Sequence, residues 1–339
     1  MKMVSRRRVV RGALATAALS GSAGLSFGTA AAADTKIKMA TGLRSTVQSI
    51  VWIGTEAGIF RKHGLDVDFV KLEVGGPPSA AGLVRGDWSY VQTGTVPMVE
   101  AVLQGHDAVI LLRNHLPTVT NIIKAKHEIT SLSQLDGKTV GVLTDAYSGQ
   151  SGVITRLAIE KAGATANFVG LGTFENIYAA LVAGRIEAGA LPSDYRFVGQ
   201  QQYGWNVFDT EEFGVPSIFG TTRHTIAADL EAALGMVRGF IETVHLFKTQ
   251  PDVVVPLLQN FLHFSDRKAV EDLRSYFAPL LPEVPRPNFG EGMADIRKLF
   301  AKRYPNAEKL QETDIVDASL IDEVERSGFI RQLYAGDRR

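Results

Sequence analysis

The chain has 339 residues, of which 45% are apolar and 21% are charged. This balance is typical of a globular protein and excludes disorder, collagen and coiled coil as descriptions of the whole chain. The 36 basic residues equal the 36 acidic ones, so no basic excess points to nucleic acid, and the absence of cysteine excludes disulfides, thiolate nucleophiles and iron–sulfur clusters.

The first 33 residues have the layout of an export signal. Five basic residues and no acidic residue accompany a weakly apolar stretch rich in Ala, Gly and Ser, which ends in a small-x-small cleavage site before Asp34. The run SRRRVVR at 5–11 resembles the twin-arginine export motif, with Val9-Val10 where that motif prefers Phe-Leu. We therefore predict a twin-arginine signal peptide over 1–33, with an ordinary secretory signal as the alternative.

Cleavage near Ala33/Asp34 leaves a mature chain with a formal net charge of −5, because it removes five basic residues and no acidic one. No later apolar run reaches the roughly 18 residues that a membrane helix needs. We therefore expect a soluble periplasmic protein that binds neither nucleic acid nor anionic lipid.

Beyond the signal, short strands alternate with helices, and the last third of the chain is mostly helical. Period-two alternation and short apolar runs predict strands at 36–40, 65–70, 90–92, 108–112, 120–125, 139–143, 167–170, 187–191 and 206–208. Helices are predicted at 47–60, 80–85 (with Ser79 as N-cap), 95–103, 150–162, 174–183, 192–202, 226–248, 253–262, 266–275, 292–303 and 319–327.

The order of these elements predicts two similar α/β units with parallel sheets, because strands that alternate with helices form parallel pairs. At roughly 150 residues per domain, the length also predicts about two domains. The chain is expected to cross from the first unit to the second near 116–118 and to return near 215–221.

Five segments together resemble the periplasmic solute-binding proteins of ABC importers, of the nitrate/sulfonate/taurine and thiamine-pyrimidine type. Each segment is weak alone, and their order and spacing carry the resemblance. They are AGIFRKHGLDV at 57–67, AAGLVRGD at 80–87, LSQLDGKTVG at 132–141, LVAGRIEA at 181–188 and SGFI at 327–330.

The resemblance implies the type II periplasmic-binding-protein fold, in which two α/β lobes are joined by two hinge crossings and the C-terminal helices pack on the first lobe. Lobe 1 would comprise 34–117 and 220–339, and lobe 2 would comprise 118–219. A small-molecule ligand would bind in the cleft between the lobes and close it. The expected protein partner is the membrane permease of an importer, and we expect a monomer.

The predicted ligand site consists of loops that follow strands and precede helices, since helix N-termini offer unpaired N–H groups and a partial positive charge. Arg44 is predicted to pair with an anionic group, Gln48 to donate an amide hydrogen bond, and Asp194 to bind a cation or amine. The alternatives are a solvated arginine, a surface glutamine and a helix cap. The predicted site residues are Leu43, Arg44, Gln48, Gly75, Gly76, Thr93, Gly94, Thr95, His115, Ser148, Gln150, Ser151, Asp194 and Tyr195.

Catalytic and metal-binding motifs are missing from the sequence. It has no G-x-S-x-G elbow, HExxH motif or P-loop, and none of its seven histidines forms an i, i+4 pair. The cysteine-rich iron motif of a suicide synthase among the thiamine-pyrimidine relatives cannot be carried over to a chain without cysteine. We therefore predict a binding protein without cofactor or metal that captures a small polar or anionic organic solute, such as a sulfonate, carboxylate, nitrate or pyrimidine. A ligand sensor or docking protein and an enzyme on the same fold are the alternatives.

Overall fold

The computed structural model describes residues 34–72, 75–116, 121–198, 200–210, 215–290 and 292–336. The predicted signal peptide and its cleavage site at Ala33 fall on residues 1–33, outside the described residues. Within the described ranges, no helix combines the length and the apolarity that crossing a bilayer requires.

The strands of the described chain form two five-stranded sheets. Most of them lie within a residue or two of the predicted bounds. In chain order they are β1 (Thr35–Thr41), β2 (Leu65–Lys71), β3 (Tyr90–Gly94), β4 (Ala108–Arg113), β5 (Asn121–Ala125), β6 (Thr139–Val142), β7 (Asn167–Gly170), β8 (Ala188–Pro192), β9 (Asn206–Asp209) and β10 (Ser217–Thr222).

The helices cover both faces of the sheets and form most of the chain after β10. Short 3-10 helices lie at Thr46–Gln48 and Ser193–Arg196. The α-helices are α1 (Ile50–Glu56), α2 (Ile59–Lys62), α3 (Gly76–Arg85), α4 (Thr95–Leu103), α5 (Gln150–Lys161), α6 (Phe174–Val182), α7 (Gln200–Tyr203), α8 (Arg223–Ala228), α9 (Leu230–Thr249), α10 (Pro251–Leu262), α11 (Arg267–Phe277), α12 (Gly292–Ala301), α13 (Glu312–Ile315), α14 (Ser319–Arg326) and α15 (Phe329–Leu333).

Lobe 1 is built on the sheet with strand order β2-β1-β3-β10-β4. β1 is parallel to β2 and β3, whereas β10 is antiparallel to both of its neighbours. The sequence prediction treated 215–221 as a crossing, so it missed β10, and the expected all-parallel sheet is wrong. β10 runs against its neighbours because the chain enters this sheet from the other lobe. Ser217 to Phe219 thus pair in the lobe 1 sheet, although the predicted boundary placed them in lobe 2.

Lobe 2 repeats this arrangement with strand order β7-β6-β8-β5-β9. β6 is parallel to β7 and β8, whereas β5, the first strand after the crossing from lobe 1, is antiparallel to β8 and β9. Each lobe therefore carries one reversed strand next to its central strand. The carboxyl ends of the parallel strands of both sheets are followed by helices that begin at the cleft.

Three predicted helices are divided in the structure. The helix predicted at 192–202 becomes the 3-10 helix Ser193–Arg196 and the separate helix α7. Gly58 has φ +71°, a left-handed conformation that ends α1 and starts α2. Asp229 separates α8 from α9, and its carboxylate accepts the Ala232 N–H as an N-cap. Ser79 is not an N-cap as predicted: it lies inside α3, where its hydroxyl donates to the Gly76 carbonyl. Gly75 is the N-cap of this helix.

The main hydrophobic core lies in lobe 1, where the C-terminal helices pack on the sheet. Phe60 from α2, Phe219 from β10 and Phe240 from α9 are almost fully buried in it, and α10, α11, α14 and α15 add further apolar side chains. This packing fixes the first sheet and leaves its strand ends at the cleft.

Candidate functional site

A narrow cavity of about 40 Å³ lies between the lobes, with room for a group of a few non-hydrogen atoms. Lobe 1 and the segment that returns to it contribute Leu43, Ser45, Val47, Gln48, Gly75, Gly76, Pro77, Gly94, Pro97 and Ser217. Lobe 2 contributes Asn121, Leu143, Thr144, Asp145, Gly149, Gln150, Ser151, Gly152, Phe174 and Pro192.

Four helices begin at this cavity. Gly76 starts α3 and Gly94 is the N-cap of α4, both in lobe 1; Gln150 starts α5 and Phe174 starts α6, both in lobe 2. Each of these residues lines the cavity. The unpaired N–H groups and partial positive charge of helix N-termini favour a negatively charged or hydrogen-bond-accepting ligand.

Gln48 and Ser151 are two of the lining side chains that carry hydrogen-bond donors. The Gln48 Oε1 accepts from the Thr41 hydroxyl at 2.9 Å and from the Leu43 N–H at 3.1 Å, so its amide NH2 is the end left for a ligand. The Ser151 side chain is buried, with the residue only 4% exposed, and its hydroxyl has no hydrogen-bond partner among the described residues. Buried hydroxyls are normally paired, so Ser151 Oγ is an orphan at the cavity wall.

Asp145 is the one ionisable side chain among the lining residues named above, and its charge is already compensated. Its Oδ1 accepts the N–H groups of Tyr147 and Ser148 at 2.6 and 2.8 Å, and its Oδ2 accepts the Ser148 hydroxyl at 2.6 Å. Partial burial acts to raise the pKa of Asp145, but these hydrogen bonds and Arg303 hold it below its usual range. Ser148, predicted as a ligand residue, is therefore a partner of Asp145 and does not line the cavity.

Arg44 does not line the cavity and binds protein groups instead. Its Nη1 lies 3.4 Å from Glu175 Oε1 on α6 of lobe 2 and 2.8 Å from His263 Nδ1 after α10 of lobe 1. Arg44 thus pairs with an acidic residue distant in sequence, whereas the sequence prediction paired it with an anionic ligand. In this structure Arg44 connects the two lobes.

Asp194 and Tyr195 also connect the lobes rather than line the cavity. The Asp194 Oδ1 accepts the N–H of Thr46 at 2.8 Å and also the Thr46 hydroxyl, which caps the lobe 1 3-10 helix from lobe 2. The Tyr195 ring packs edge-on against Phe264 of lobe 1 at 5.7 Å. Burial raises the pKa of Asp194. Thr46 uses Oδ1 of this carboxylate, and the predicted role of Asp194 as a ligand for a cation or amine stays a prediction.

Lys124, which the sequence prediction missed, fixes the segment that carries Asp194. This lysine on β5 is fully buried, and its ammonium donates to the backbone carbonyls of Tyr195, at 2.5 Å, and of Val198. Burial, with a smaller effect of Arg196, lowers the pKa of Lys124 to about 8.

Thr93 and Thr95 are buried behind the cavity, not at its surface. The Thr93 and Ser79 hydroxyl oxygens lie at hydrogen-bond distance, 2.9 Å, and the Thr95 hydroxyl donates to the Pro216 carbonyl at 2.7 Å. Thr93 thus connects β3 to α3 and Thr95 holds the start of α4, and a direct contact of either with a ligand stays a prediction.

Gln150 and Gly94 face each other across the cleft. Gln150 Nε2 donates to the Val215 carbonyl at 3.1 Å, and its Oε1 is 3.4 Å from the N–H of Val96 in the first turn of α4. A Cβ built on Gly94 would lie 2.5 Å from Gln150 Oε1 and 2.8 Å from Gln150 Cβ. The lobes meet so closely here that position 94 has no space for a side chain.

His115 is buried at the edge of lobe 1. It links the segment after β4, where the chain leaves lobe 1, to the start of β10, where the chain returns. The N–H of Ser217 donates to its Nε2 at 2.9 Å, so Nδ1 carries the proton and donates to the Leu116 carbonyl at 2.7 Å. Burial, together with Arg113, lowers the pKa of His115 to about 4 despite the hydrogen bond to Leu116. The structure gives His115 these two bonds and places it outside the cavity lining.

We expect His115 to make the protein less stable as the pH falls. The unfolded chain binds a proton below the ordinary histidine pKa of 6.5, whereas the folded chain resists protonation until about pH 4, so stability is lost over that window. Between pH 7 and pH 5 the loss should be about 2 kcal/mol. Denaturant unfolding of the wild type and of His115→Gln, whose amide oxygen can replace Nε2, measures this loss as the difference between their pH dependences. Equal dependence of the unfolding free energy on pH in both proteins would contradict the role of His115.

Half of the predicted site residues do line the cavity: Leu43, Gln48, Gly75, Gly76, Gly94, Gln150 and Ser151. That they bind a ligand stays a prediction. The prediction missed the segment from Leu143 to Asp145 and the start of α6 at Phe174. The same signal would have found both, because the first follows β6 and the second is a helix N-terminus. Within the described ranges, no three His, Asp or Glu side chains converge in a way that could hold a metal ion.

Comparison with known proteins identifies a matching family model and solved structures that share the two-lobe fold. A family model described as "NMT1/THI5 like" matches residues 46–245. The alkanesulfonate-binding protein SsuA from Xanthomonas axonopodis pv. citri superposes with a TM-score of 0.70 at 14% identity, covering 85% of this chain and all of that one. The aliphatic sulphonate-binding protein SsuA from Escherichia coli gives 0.65 at 18%, covering 82% and 91%.

The periplasmic nitrate-binding protein NrtA from Synechocystis PCC 6803 gives a TM-score of 0.67 at 12% identity, covering 87% of this chain and 89% of that one. No curated protein matches the sequence. These solved structures share the fold of this chain, with two α/β lobes, as the sequence resemblance predicts. Because the family model spans more than half of the sequence, the chain belongs to the NMT1/THI5-like family.

Proposed function

We propose that this chain is the extracytoplasmic solute-binding component of an ABC importer, and that it captures a small anionic organic solute in the cavity between its lobes. The observation that carries the proposal is the convergence of four helix N-termini and an orphan buried hydroxyl on one interlobe cavity. The structural neighbours are named as proteins that bind sulfonates or nitrate, and this agrees with an anionic ligand.

The charge distribution favours an anion bound without a counter-charged side chain. No lysine or arginine is among the lining residues, and the Asp145 carboxylate is turned toward backbone N–H groups and Ser148. Recognition then rests on backbone N–H groups at the starts of α3, α4, α5 and α6, with Gln48 and Ser151 as side-chain donors. Such a site suits a sulfonate, carboxylate or nitrate group.

Ligand binding and closure are coupled because the donors belong to both lobes. Gln48 and the start of α3 lie in lobe 1, whereas Ser151 and the start of α6 lie in lobe 2. A ligand that contacts all of them gains its full affinity only when the lobes meet, so it shifts the population toward the closed arrangement. A permease that contacts both lobes would recognise that arrangement.

We propose capture without catalysis. Of the hydroxyls at the cavity, that of Ser151 is the best placed to act as a nucleophile. It has no hydrogen-bond partner in the described chain, and therefore no general base that could activate it. The proposal also includes export to the periplasm with cleavage of the signal. It further includes a monomeric state, because a large permanent interface would hinder movement of the lobes.

Ser151→Ala should weaken binding of an anion about tenfold, because a hydrogen bond to a charged group is lost. The same change should leave thermal stability unchanged or slightly raised, since the deleted hydroxyl has no partner in the free protein. The measurement is a thermal-shift screen of residues 34–339 with nitrate, alkanesulfonates, taurine, aliphatic and aromatic carboxylates and pyrimidines, followed by calorimetry on the anion with the largest shift.

Thr155→Val is the matched control. The Thr155 hydroxyl is also buried and without a partner among the described residues, but it lies one turn further along α5 and does not line the cavity. Thr155→Val should therefore retain wild-type affinity. Shifts from pyrimidines but from no anion would show the anionic ligand to be wrong, and no shift from any compound would count against solute binding itself.

A further inference from the structure

Arg44, Glu175 and His263 form a small cluster at the seam between the lobes. The Arg44 side chain follows β1 in lobe 1 and is only 12% exposed. Its Nη1 donates to Glu175 Oε1 of lobe 2 at 3.4 Å and to His263 Nδ1 of lobe 1 at 2.8 Å. We call these three side chains the Arg44 cluster. Its bonds join protein groups only, so their formation requires no solute.

The Arg44 cluster lies on the side of the cleft away from the chain crossings, which connect β4 to β5 and β9 to β10. Glu175 is in the first turn of α6, the helix that follows β7. In the lobe 2 sheet, β7 is the edge strand opposite β5 and β9, and in the lobe 1 sheet β3 separates β1 from β10. When the lobes swing apart about the crossings, the bond between Arg44 and Glu175 must therefore break.

His263 carries a side chain at a position that favours glycine. It is the C-cap of α10, with φ +57° and ψ 34°, and among the residues that the structure describes it is the only non-glycine residue with a positive φ. Glycine adopts this left-handed conformation without steric cost and is common at helix ends. A residue held in such a conformation points to a role for its side chain. Because a guanidinium only donates, Nδ1 is the acceptor, and the ring directs Arg44 toward Glu175.

We propose that the Arg44 cluster is a latch that closes the lobes without a ligand, so that the free protein is mainly closed and opens only transiently. Its effect on ligand exchange rests on the proposed function, whereas closure of the free protein does not. A solute enters and leaves only while the latch is open. Because the latch is formed in the closed protein both with and without a solute, it slows both steps and changes the affinity little.

The first test measures the separation of the lobes in the free protein, residues 34–339. The chain has no cysteine, so Ala81→Cys on α3 and Ala179→Cys on α6 provide two exposed sites for spin labels, and pulsed electron paramagnetic resonance gives the distance between them. The wild type should show mainly the short distance of the closed protein. Glu175→Gln keeps the size of the side chain and removes its charge, and the ratio of closed to open protein should fall about fivefold.

His263→Gly separates the latch from a purely structural role. Glycine suits the left-handed position, so thermal stability should be retained or raised, while loss of the bond to Arg44 should lower the ratio of closed to open protein. A variant that unfolds more easily and keeps the wild-type distance distribution would show that His263 acts on stability alone, which would overturn its role in the latch.

Arg267→Ala is the matched control for Arg44→Ala, because it removes the same charge from an ion pair within one helix. Arg267 pairs with Glu271 on α11 of lobe 1, so its loss should leave the distance distribution unchanged, whereas Arg44→Ala should shift it toward the open protein. A free wild type that is mainly open would overturn the latch. So would a wild-type distribution in both Arg44→Ala and Glu175→Gln.

Stopped-flow kinetics then distinguish a latch from a ligand contact, with the anion selected by the thermal-shift screen. In Glu175→Gln and Arg44→Ala the association and dissociation rates should each rise about fivefold, while Kd stays within twofold of the wild type. Wild-type association with much weaker binding in Arg44→Ala would mean that Arg44 contacts the solute, and would overturn the latch. If no anion binds, the proposed function fails, and the distance measurement still decides whether the latch exists.

Discussion

Gly94→Val is expected to weaken ligand binding about 100-fold while the protein remains folded. The backbone of Gly94, with φ −77° and ψ 159°, is one that valine adopts readily, so lobe 1 itself is not strained. The three atoms nearest to a Cβ at this position all belong to Gln150 of lobe 2, at 2.5 to 2.8 Å. A side chain there therefore separates the lobes, and a ligand loses its contacts with one of them, at a cost of two or so charge-assisted hydrogen bonds, about 3 kcal/mol.

The measurement is calorimetry with the anion selected by the thermal-shift screen, together with small-angle scattering of the free and liganded protein. Gly292→Ala is the control, because a Cβ at Gly292 would meet no atom within 4 Å. Adding Gln150→Gly to a Gly94→Ala variant should recover part of the affinity, because it removes the Gln150 side-chain atoms that the new Cβ would meet. Wild-type affinity in Gly94→Val would mean that ligand binding does not require the lobe contact seen at this position.

The buried carboxylate of Asp194 is expected to contribute strongly to the stability of the protein. Asp194→Ala is expected to lower the free energy of unfolding by about 3 kcal/mol, because it leaves the buried N–H and hydroxyl of Thr46 without an acceptor. Asp194→Asn keeps an oxygen that can accept both bonds and removes a buried charge. We therefore expect the asparagine variant to be at least as stable as the wild type at neutral pH.

The pH dependence gives this prediction its sign. Burial raises the pKa of Asp194, so the folded protein holds that proton more tightly than the unfolded chain does. The contribution to stability is thus fully present below the ordinary pKa of 3.8 and is lost as the pH rises through the raised value. The advantage of Asp194→Asn over the wild type should grow as the pH rises above 3.8 in denaturant unfolding, and an advantage that shrinks would show that Asp194 is stabilised as a charged group.

Much of the fold could be predicted because it is encoded locally. Alternating apolar residues identify β1 and β2, and the apolar run of β4 identifies a strand buried on both faces. β10 could not be identified in this way, because a six-residue segment next to a chain crossing becomes a strand only by pairing with β3 and β4, more than 100 residues away. Its reversed direction is likewise a property of chain topology and not of its own residues.

The candidate site likewise has a part that is encoded locally and a part that depends on contacts distant in sequence. The glycines at 75, 76 and 94 and the start of α5 reach the cavity because any helix that follows a parallel strand begins at that edge of the sheet. The protein partners of Arg44 and Asp194 could not be predicted, because Glu175 and Thr46 lie 131 and 148 residues away. Residue type shows that a side chain can bind a charge, but only the assembled lobes decide whether the protein or a ligand supplies it.

The reversed strand β10 also determines the order in which the lobes can be completed during synthesis. It is inserted between β3 and β4, and Phe219 pairs with Gln92, so the two partners are separated by 127 residues of chain. Lobe 2 is continuous from β5 to β9 and contains all of its strands before β10 has been made. Lobe 1 is begun first at the ribosome but must wait for lobe 2 to be translated before its sheet can close, which makes it the slower lobe to fold.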